Sequence, residues 1–434
     1  MKKFKFAAWV MILAMVLTGC GESGQTITMS DQGMLLADSE TKEDGATPGA
    51  NADGKNSSGE NIPTGELEAD QIVAVTDFAI RLFQECATEG SNCLISPVSV
   101  LEALAMAANG ANGETLEQME TVFGTTVPQM NQHFYRYNNS LPQGEKYKLS
   151  VANSIWVKDD ARFEVNQDFL QTNKEWYGAE VRQVPFDGGT VQDINQWVKN
   201  NTDDMIDKIV NDISPDAVMY LVNAVAFDAE WQKVYEESDV RDGVFTLADG
   251  TEQDAKMMYS TEQYYLQDAN AQGFIKYYAD RKYAFAALLP DEGVSVTDYI
   301  ASLDGEKLHT MLEKPVDVRV YAAIPEFEAE YETALRNILT QMGMEDAFNA
   351  ASSDFIGIGS YPEKNIYIND VLHKTFISVD QKGTKAAAVT SMEMYAESVG
   401  MEPKFVYLDR PFVYMLIDCE THTPVFIGAL NRVK

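Results

Sequence analysis

The chain is 434 residues long and strongly acidic, because 33 lysines and arginines stand against 67 aspartates and glutamates, a formal net charge of −34. Phosphate backbones repel such a protein, so nucleic-acid binding is disfavoured. With 45% hydrophobic and 10% aromatic residues the chain can bury a large core. Four cysteines over this length exclude a small disulfide-stapled fold. The four histidines lack the close spacing of metal ligands, so we predict neither a metal site nor a cofactor.

The first 20 residues have the pattern of an export signal. Three lysines, at positions 2, 3 and 5, precede an apolar run over residues 6–17 that is short for a membrane span. The run ends in Leu-Thr-Gly-Cys, which resembles a bacterial lipobox and implies cleavage before Cys20 and attachment of lipid to its thiol. We therefore predict a signal peptide over residues 1–19 and an extracytoplasmic, lipid-anchored protein that is exposed at the cell surface. The alternative is an ordinary secretory signal followed by a chance cysteine.

The segment that follows, residues 20–66, is dominated by Gly, Ser, Asn, Asp and Glu and sustains no hydrophobic period. Such a composition cannot bury enough apolar surface to offset the entropy of ordering it. We interpret it as a flexible linker that holds a folded domain away from the membrane.

Residues 67–434 read as one globular domain with no linker-like interruption and no internal repeat. Apolar periodicity predicts helices over 71–86, 191–209 and 331–342, and another that begins at Ser96-Pro97 with serine as its N-cap. Strand-like runs cover 149–157, 219–227, 284–289 and 318–324, and residues 405–433 are rich in strands. Helices and strands without regular alternation favour an α+β fold.

Catalytic motifs are absent from the sequence, which contains no GxSxG, HExxH, GxxxxGK[ST] or CxxC, so we do not predict an enzyme. Cys86 and Cys93 are seven residues apart, which suits either a local disulfide or two separate buried thiols. His373 is better explained as a hydrogen-bonded structural residue than as a catalytic base.

A long connection over residues 380–400 separates a strand-like run that ends at Val379 from the strand that begins at Phe405. Connections of about 4–6 residues are usual, and much longer ones tend to be functional or disordered. From residue 384 to residue 395 this segment nevertheless alternates, with small or apolar residues on one side of an extended chain and both charges, Lys385 and Glu393, on the other. The uncharged side consists of Thr384, Ala386, Ala388, Thr390, Met392 and Met394. The connection could therefore become a strand with one buried face.

The run Gln-Lys-Gly-Thr-Lys-Ala-Ala-Ala at 381–388 resembles the hinge of the reactive-centre loop of an inhibitory serpin. Further blocks of the chain are similar to serpin segments in the same order. These blocks are NCLISPVSV at 92–100, residues 109–115, NxWVxxxTxxxI at 195–206, residues 221–231, LPDEG at 289–293, IPEF at 324–327, residues 342–348, and RPF at 410–412 with Gly428. The resemblance covers residues 67–434.

The resemblance implies a single α+β domain with three β-sheets, a set of helices and an exposed reactive-centre loop at about 381–404. It also implies a monomeric suicide-substrate inhibitor of serine proteases, in which the cleaved loop inserts into the main sheet and traps the acyl-enzyme. The alternative is a non-inhibitory serpin that acts as a binding protein at the cell surface. The uncharged inward face of the hinge favours inhibition, because an unpaired buried charge would oppose insertion.

Individual residues take roles through the same resemblance. The hinge consists of Gln381, Lys382, Gly383, Thr384, Lys385, Ala386, Ala387, Ala388 and Val389, of which Gln381 and Val389 depart mildly from the family pattern and Lys385 points outward. Ser96, Ser99, Asn223 and His373 fall at the shutter beneath the opening of the sheet, and Trp231 falls at the breach where the hinge enters. Counting fourteen residues from Gly383 places the reactive bond at Glu397-Ser398, which suits a glutamyl protease. The neighbours Ala396 and Val399 would suit elastase-like or subtilisin-like proteases.

Overall fold

The computed structural model describes residues 9–19, 34–35, 69–141, 147–202, 206–279, 281–362, 364–383 and 402–433. Within these residues the α-helices are α1 (Ala69–Cys86), α2 (Pro97–Ala108), α3 (Gly113–Phe123), α4 (Val127–Ser140), α5 (Gln167–Tyr177), α6 (Gly188–Asn201), α7 (Val296–Ser302), α8 (Gly305–Glu313) and α9 (Arg336–Gln341).

The strands of the described residues are β1 (Trp9–Gly19), β2 (Met34–Leu35), β3 (Cys93–Ile95), β4 (Tyr147–Lys158), β5 (Glu164–Val165), β6 (Glu180–Val184), β7 (Ala217–Ala229), β8 (Val240–Thr246), β9 (Glu252–Gln267), β10 (Ala271–Tyr277), β11 (Tyr283–Pro290), β12 (Val316–Pro325), β13 (Phe327–Ala334), β14 (Gly359–Ser360), β15 (Ile366–Val379), β16 (Lys404–Tyr407), β17 (Phe412–Asp418) and β18 (Thr423–Leu430). They form a seven-stranded sheet in the order β13-β15-β1-β7-β4-β6-β2, a nine-stranded sheet and a two-stranded sheet, β14-β5. The predicted α+β class with three sheets is confirmed.

The nine-stranded sheet has the order β16-β12-β9-β10-β11-β17-β18-β3, with β8 paired to β9. Its last strands in sequence, β17 and β18, lie between β11 and β3, an early strand of the chain. The backbone N–H of Asn431 donates to Oδ1 of Asn92 at 2.7 Å, which fixes the C-terminal end beside the start of β3. The sheet therefore joins residues that are more than three hundred positions apart.

The seven-stranded sheet is apolar on both faces because it lies between two layers. One face packs on the main core, which includes α1 and α2, and the other packs on a second cluster that contains Ile194, Trp197 and Val198 of α6. This arrangement explains why β7 reads as a continuous hydrophobic run, since all its residues but Asp228 are buried.

Two predicted helices differ from the observed elements. The helix predicted over 191–209 is α6, which ends at Asn201. The helix predicted over 331–342 was wrong in its first half, because residues up to Ala334 belong to β13 and only Arg336–Gln341 are helical. The sequence FEAEYETA of β13 alternates buried and exposed residues, which is the period of a strand.

The local predictions around α2 and the cysteines can also be compared with the structure. Ser96 occupies the N-cap and Pro97 the first turn of α2, but the Ser96 hydroxyl does not cap the helix. Cys86 and Cys93 are both buried free thiols, so the disulfide alternative does not apply. Burial raises the pKa of the Cys86 thiol to about 12, which keeps it protonated.

In the described part of the chain no helix is long and apolar enough to cross a membrane. Cys20 and most of the predicted linker lie outside the described residues. Residues 9–19, inside the predicted signal peptide, form β1 in the middle of the seven-stranded sheet.

Candidate functional site: a hinge above a strand slot

The hinge begins where β15 ends, in a tight turn over residues 380–383. The backbone N–H of Gly383 donates to the carbonyl of Asp380 at 3.3 Å, and the N–H of Lys382 donates to the Asp380 carboxylate at 2.8 Å. This pattern is an Asx-type turn, and it reverses the chain direction. Gly383 has φ +89°, and a Cβ there would lie 2.5 Å from the backbone nitrogen of Trp231, so only glycine fits.

The turn is held against the end of β7 by backbone hydrogen bonds. Gly383 pairs with Glu230, the N–H of Trp231 donates to the Lys382 carbonyl at 3.3 Å, and the N–H of Tyr235 donates to the Gln381 carbonyl at 3.0 Å. The hinge therefore returns toward β7 as soon as it leaves β15.

Trp231, predicted at the breach, contacts the hinge directly. Its indole Nε1 donates to the carbonyl of Asp380 at 2.9 Å, and its ring stacks on Tyr278 with the centroids 4.4 Å apart. The Trp231 side chain is buried, so this hydrogen bond also gives a partner to an indole N–H that would otherwise be buried without one. Trp231 thus fixes the first turn of the hinge to the core.

Behind Trp231 lies an ion pair between a buried lysine and a partly buried glutamate, which the sequence interpretation did not include. Lys276 Nζ lies 3.0 Å from Glu262 Oε1, 5.3 Å from the centre of the Trp231 ring and 4.4 Å from that of Tyr235. Burial alone would lower the pKa of Lys276, but Glu262 and Tyr235 outweigh it and the pKa is raised. The ammonium therefore stays charged, with cation–π contacts to two aromatic rings beside the hinge.

Below the hinge, the space between β7 and β15 holds one extended strand, and we call this space the strand slot. In the structure β1 fills it, antiparallel to both neighbours, with Trp9 opposite Phe227 and Val10 opposite Phe376 at the hinge end. Met15 within β1 is fully buried. The slot accommodates eleven residues in extended conformation.

The two faces of the slot differ in their surroundings. Along β7, residues Leu221, Val225 and Phe227 belong to the main core, whereas Val222 and Ala224 belong to the cluster under α6. A strand in the slot would therefore alternate between these two layers.

The four predicted shutter residues lie around the middle of the slot. Ser99 Oγ donates to Asn223 Oδ1 on the β7 side. The backbone N–H of Ser96 donates to Nε2 of His373 at 3.4 Å on the β15 side. Asn223 and His373 both lie opposite Leu13 of β1, so they face each other across the slot. Burial lowers the pKa of His373 to about 3, and the ring is neutral at ordinary pH.

A fifth polar residue in this region, Glu102 of α2, was not predicted. Its carboxylate accepts a hydrogen bond from Asn223 Nδ2 at 3.0 Å, beneath the slot. The signal in the sequence was a single acidic residue within the otherwise apolar helix PVSVLEALAMAA, whose residues are all buried. Charged side chains are seldom fully buried without a specific role, so Glu102 could have been predicted as a site residue from the sequence.

The remaining predicted site residues lie outside the described residues. These are the hinge residues from Thr384 to Val389 and the residues around the reactive bond, Ala396, Glu397, Ser398 and Val399. No group of His, Cys, Asp and Glu side chains in the described ranges could hold a metal ion.

Comparisons with known proteins agree with this geometry. The family model for serpin, serine protease inhibitor, matches residues 73–433. An uncharacterized serpin-like protein of Thermococcus kodakarensis is 32% identical and aligns over 84% of this chain and 86% of its own. The leukocyte elastase inhibitor of Xenopus laevis is 29% identical, over 82% of this chain and 97% of its own. The native-state structure of the thermophilic serpin tengpin is 43% identical with a TM-score of 0.79, and the match covers 86% of this chain and 96% of that one.

Proposed function

Because the chain belongs to the serpin family, we propose that it is a suicide-substrate inhibitor of serine proteases. A protease attacks the reactive-centre loop as a substrate, and the loop then enters the strand slot before the acyl bond is hydrolysed. Inhibition is a competition between insertion and deacylation, so rapid insertion is the property that the fold has to supply.

The observation that carries this proposal is that the seven-stranded sheet accepts an extra strand between β7 and β15. The strand it holds, β1, runs antiparallel to β15. A segment that continued in extended conformation beyond the 380–383 turn would also run antiparallel to β15, and it would start at the same end of the slot. The strand direction and the starting position therefore both suit insertion of the loop.

The register at the hinge supports the predicted inward face of the loop. Gly383 lies opposite Glu230, so an unbroken antiparallel register would place Ala386 opposite Phe227, the position that Trp9 holds in β1. Ala388 would then lie opposite Val225 and Thr390 opposite Asn223, on the face of the main core. The charged Lys385 and Glu393 would fall on the other face. No charge of the loop would be buried in the main core.

The proposed reactive bond is Glu397-Ser398, and the proposed targets are glutamyl, elastase-like or subtilisin-like proteases. A glutamate on the N-terminal side of the reactive bond suits a protease whose specificity pocket supplies positive charge. The loop contains no Lys or Arg between Lys385 and Lys404, which disfavours trypsin-like targets.

We propose further that the protein acts outside the cell as a monomer, tethered by lipid on Cys20. The support for this is the sequence pattern alone: a basic start, an apolar run and the terminal Leu-Thr-Gly-Cys. Removal of residues 1–19 would also withdraw β1 and leave the slot to the loop.

The experiment mixes the protein, as a bacterial host processes it, with one protease of each class. An SDS-stable complex would establish the mechanism, and a cleavage site identified by mass spectrometry would establish the reactive bond. Thr384→Arg should abolish the complex while the loop is still cleaved, because it buries a charge in the slot, whereas Lys385→Arg should retain it. Cleavage without a complex and without a gain in thermal stability would instead favour a non-inhibitory surface protein.

A further inference from the structure

A fully buried glutamate lies directly beneath the strand slot. Glu102 accepts hydrogen bonds from Asn138 Nδ2 in α4 at 2.6 Å, from Asn153 Nδ2 in β4 at 2.9 Å and from Asn223 Nδ2 in β7 at 3.0 Å. Asn223 is the donor that borders the slot. The carboxylate is therefore linked through one amide to the edge along which a strand inserts.

The ionisable groups around this glutamate differ from it in the pH at which they titrate. Burial raises the pKa of Glu102 to about 7, against the three amide hydrogen bonds, which lower it. Tyr137 and Tyr177 face it from α4 and α5, and burial raises the pKa of both phenols well above 10, so they stay neutral. Across the slot, His373 is neutral because burial lowers its pKa to about 3. Among these groups, Glu102 is the one that changes charge near neutral pH.

The amide cluster can satisfy this glutamate in both of its protonation states. The ionised carboxylate accepts the three N–H groups in the observed arrangement. Asn138 Oδ1 is buried and has no hydrogen-bond partner among the described residues. If the Asn138 amide turns over, this oxygen can accept a hydrogen bond from the hydroxyl of a protonated carboxyl group. Two arrangements that differ by one proton are thus available beneath the slot.

We propose that Glu102 is a proton-linked positioning residue for loop insertion, whose ionised form holds Asn223 on the α2 side and so keeps the slot ready for a strand. This inference rests on the proposed function, since it concerns the same insertion step. With β1 in the slot, Asn223 bonds to Glu102 and Ser99, so the observed arrangement is that of a filled slot. A hydrogen bond to an ionised acceptor is stronger than one to a neutral acceptor, so protonation weakens this hold. Insertion is therefore faster above neutral pH than below it.

The test uses the protein after a bacterial host has removed residues 1–19. It measures how fast a synthetic peptide with the sequence of residues 384–394 enters the slot, and native gels follow this at pH 6 and pH 8. We expect the wild type to be about fivefold faster at pH 8 if the pKa of Glu102 is one unit lower in the filled slot than in the open slot. Glu102→Gln should show the same rate at both pH values. Glu102→Asp retains a carboxylate and should keep the pH dependence with a displaced midpoint.

Two results would overturn the inference: a pH dependence that survives in Glu102→Gln, or one that disappears in Glu102→Asp. If Glu102→Gln is slowed by the same factor at both pH values, so that the pH dependence of the wild type remains, the role of Glu102 is purely structural. The peptide assay uses no protease, so it can fail or succeed independently of the proposed function. Failure of the wild type to form any protease complex would count against inhibition and leave the peptide result intact.

Discussion

Replacing Gly383 by alanine tests whether the hinge must lie in contact with the end of β7. The new Cβ would lie 2.5 Å from the backbone nitrogen of Trp231 and 2.7 Å from the carbonyl oxygen of Ala229, so neither neighbour can rotate away. The positive φ costs an alanine about 1–2 kcal/mol. Overpacking adds about 1–3 kcal/mol, so the expected loss in the free energy of unfolding is about 2–5 kcal/mol.

The assay compares urea unfolding of this variant with that of Gly293→Ala. Gly293 has φ +90°, almost the same as the +89° of Gly383, but no atom lies within 4 Å of its added Cβ. The control should therefore lose only the conformational part, about 1–2 kcal/mol. In Gly383→Ala the hinge should also leave Trp231, so more inhibitor would be consumed per protease molecule inactivated. Equal destabilisation of the two variants would refute the steric account of the hinge.

Three further predictions concern the slot and its surroundings. A precursor that keeps residues 1–19 should be more heat-stable than the chain that starts at Cys20 and should form no protease complex, because β1 occupies the slot; equal complex formation would contradict this. Lys276→Met should lower the unfolding free energy by about 3–5 kcal/mol, because Glu262 is left unpaired, and adding Glu262→Gln should restore most of the loss in urea denaturation. Burial lowers the pKa of His373 from 6.5 to about 3, so the unfolded state binds its proton more readily and stability should fall as the pH drops below 6.5. Between pH 6.5 and pH 4 this amounts to about 3 kcal/mol, and His373→Gln should flatten that slope in urea midpoints measured across the range.

Much of the fold could be predicted because long apolar runs identify buried strands. The run predicted at 219–227 corresponds to β7, which extends only two residues further at each end. The segment from 331 to 342 misled the interpretation because Tyr331, Leu335 and Leu339 repeat every four residues, as in a helix. Pairing of β13 with β15 decides the conformation up to Ala334, and this is a tertiary contact that local periodicity does not contain.

The candidate site was predictable where it depends on contiguous sequence and not where it depends on packing. Gly383 and Trp231 were selected from short motifs, and the structure brings them together at the end of β7. Glu102 and Lys276 were missed because their significance comes from burial against residues far along the chain. The position of β1 could not be predicted either, since a run that is apolar at every position suits a membrane or the interior of a sheet equally well.

The place of β17 and β18 within the nine-stranded sheet has a consequence for how the protein is made. Residues 93–95 of β3 obtain their partner only when residues 423–430 arrive, and β11 pairs with β17 in the same way. Such distant pairings are slow to form, because the loops between them must close first. A ribosome or an export channel delivers the chain from its N-terminal end, so almost the whole polypeptide is delivered before this sheet can close. The late arrival of β17 and β18 thereby keeps the chain from completing its fold too early, which would suit the export that we propose.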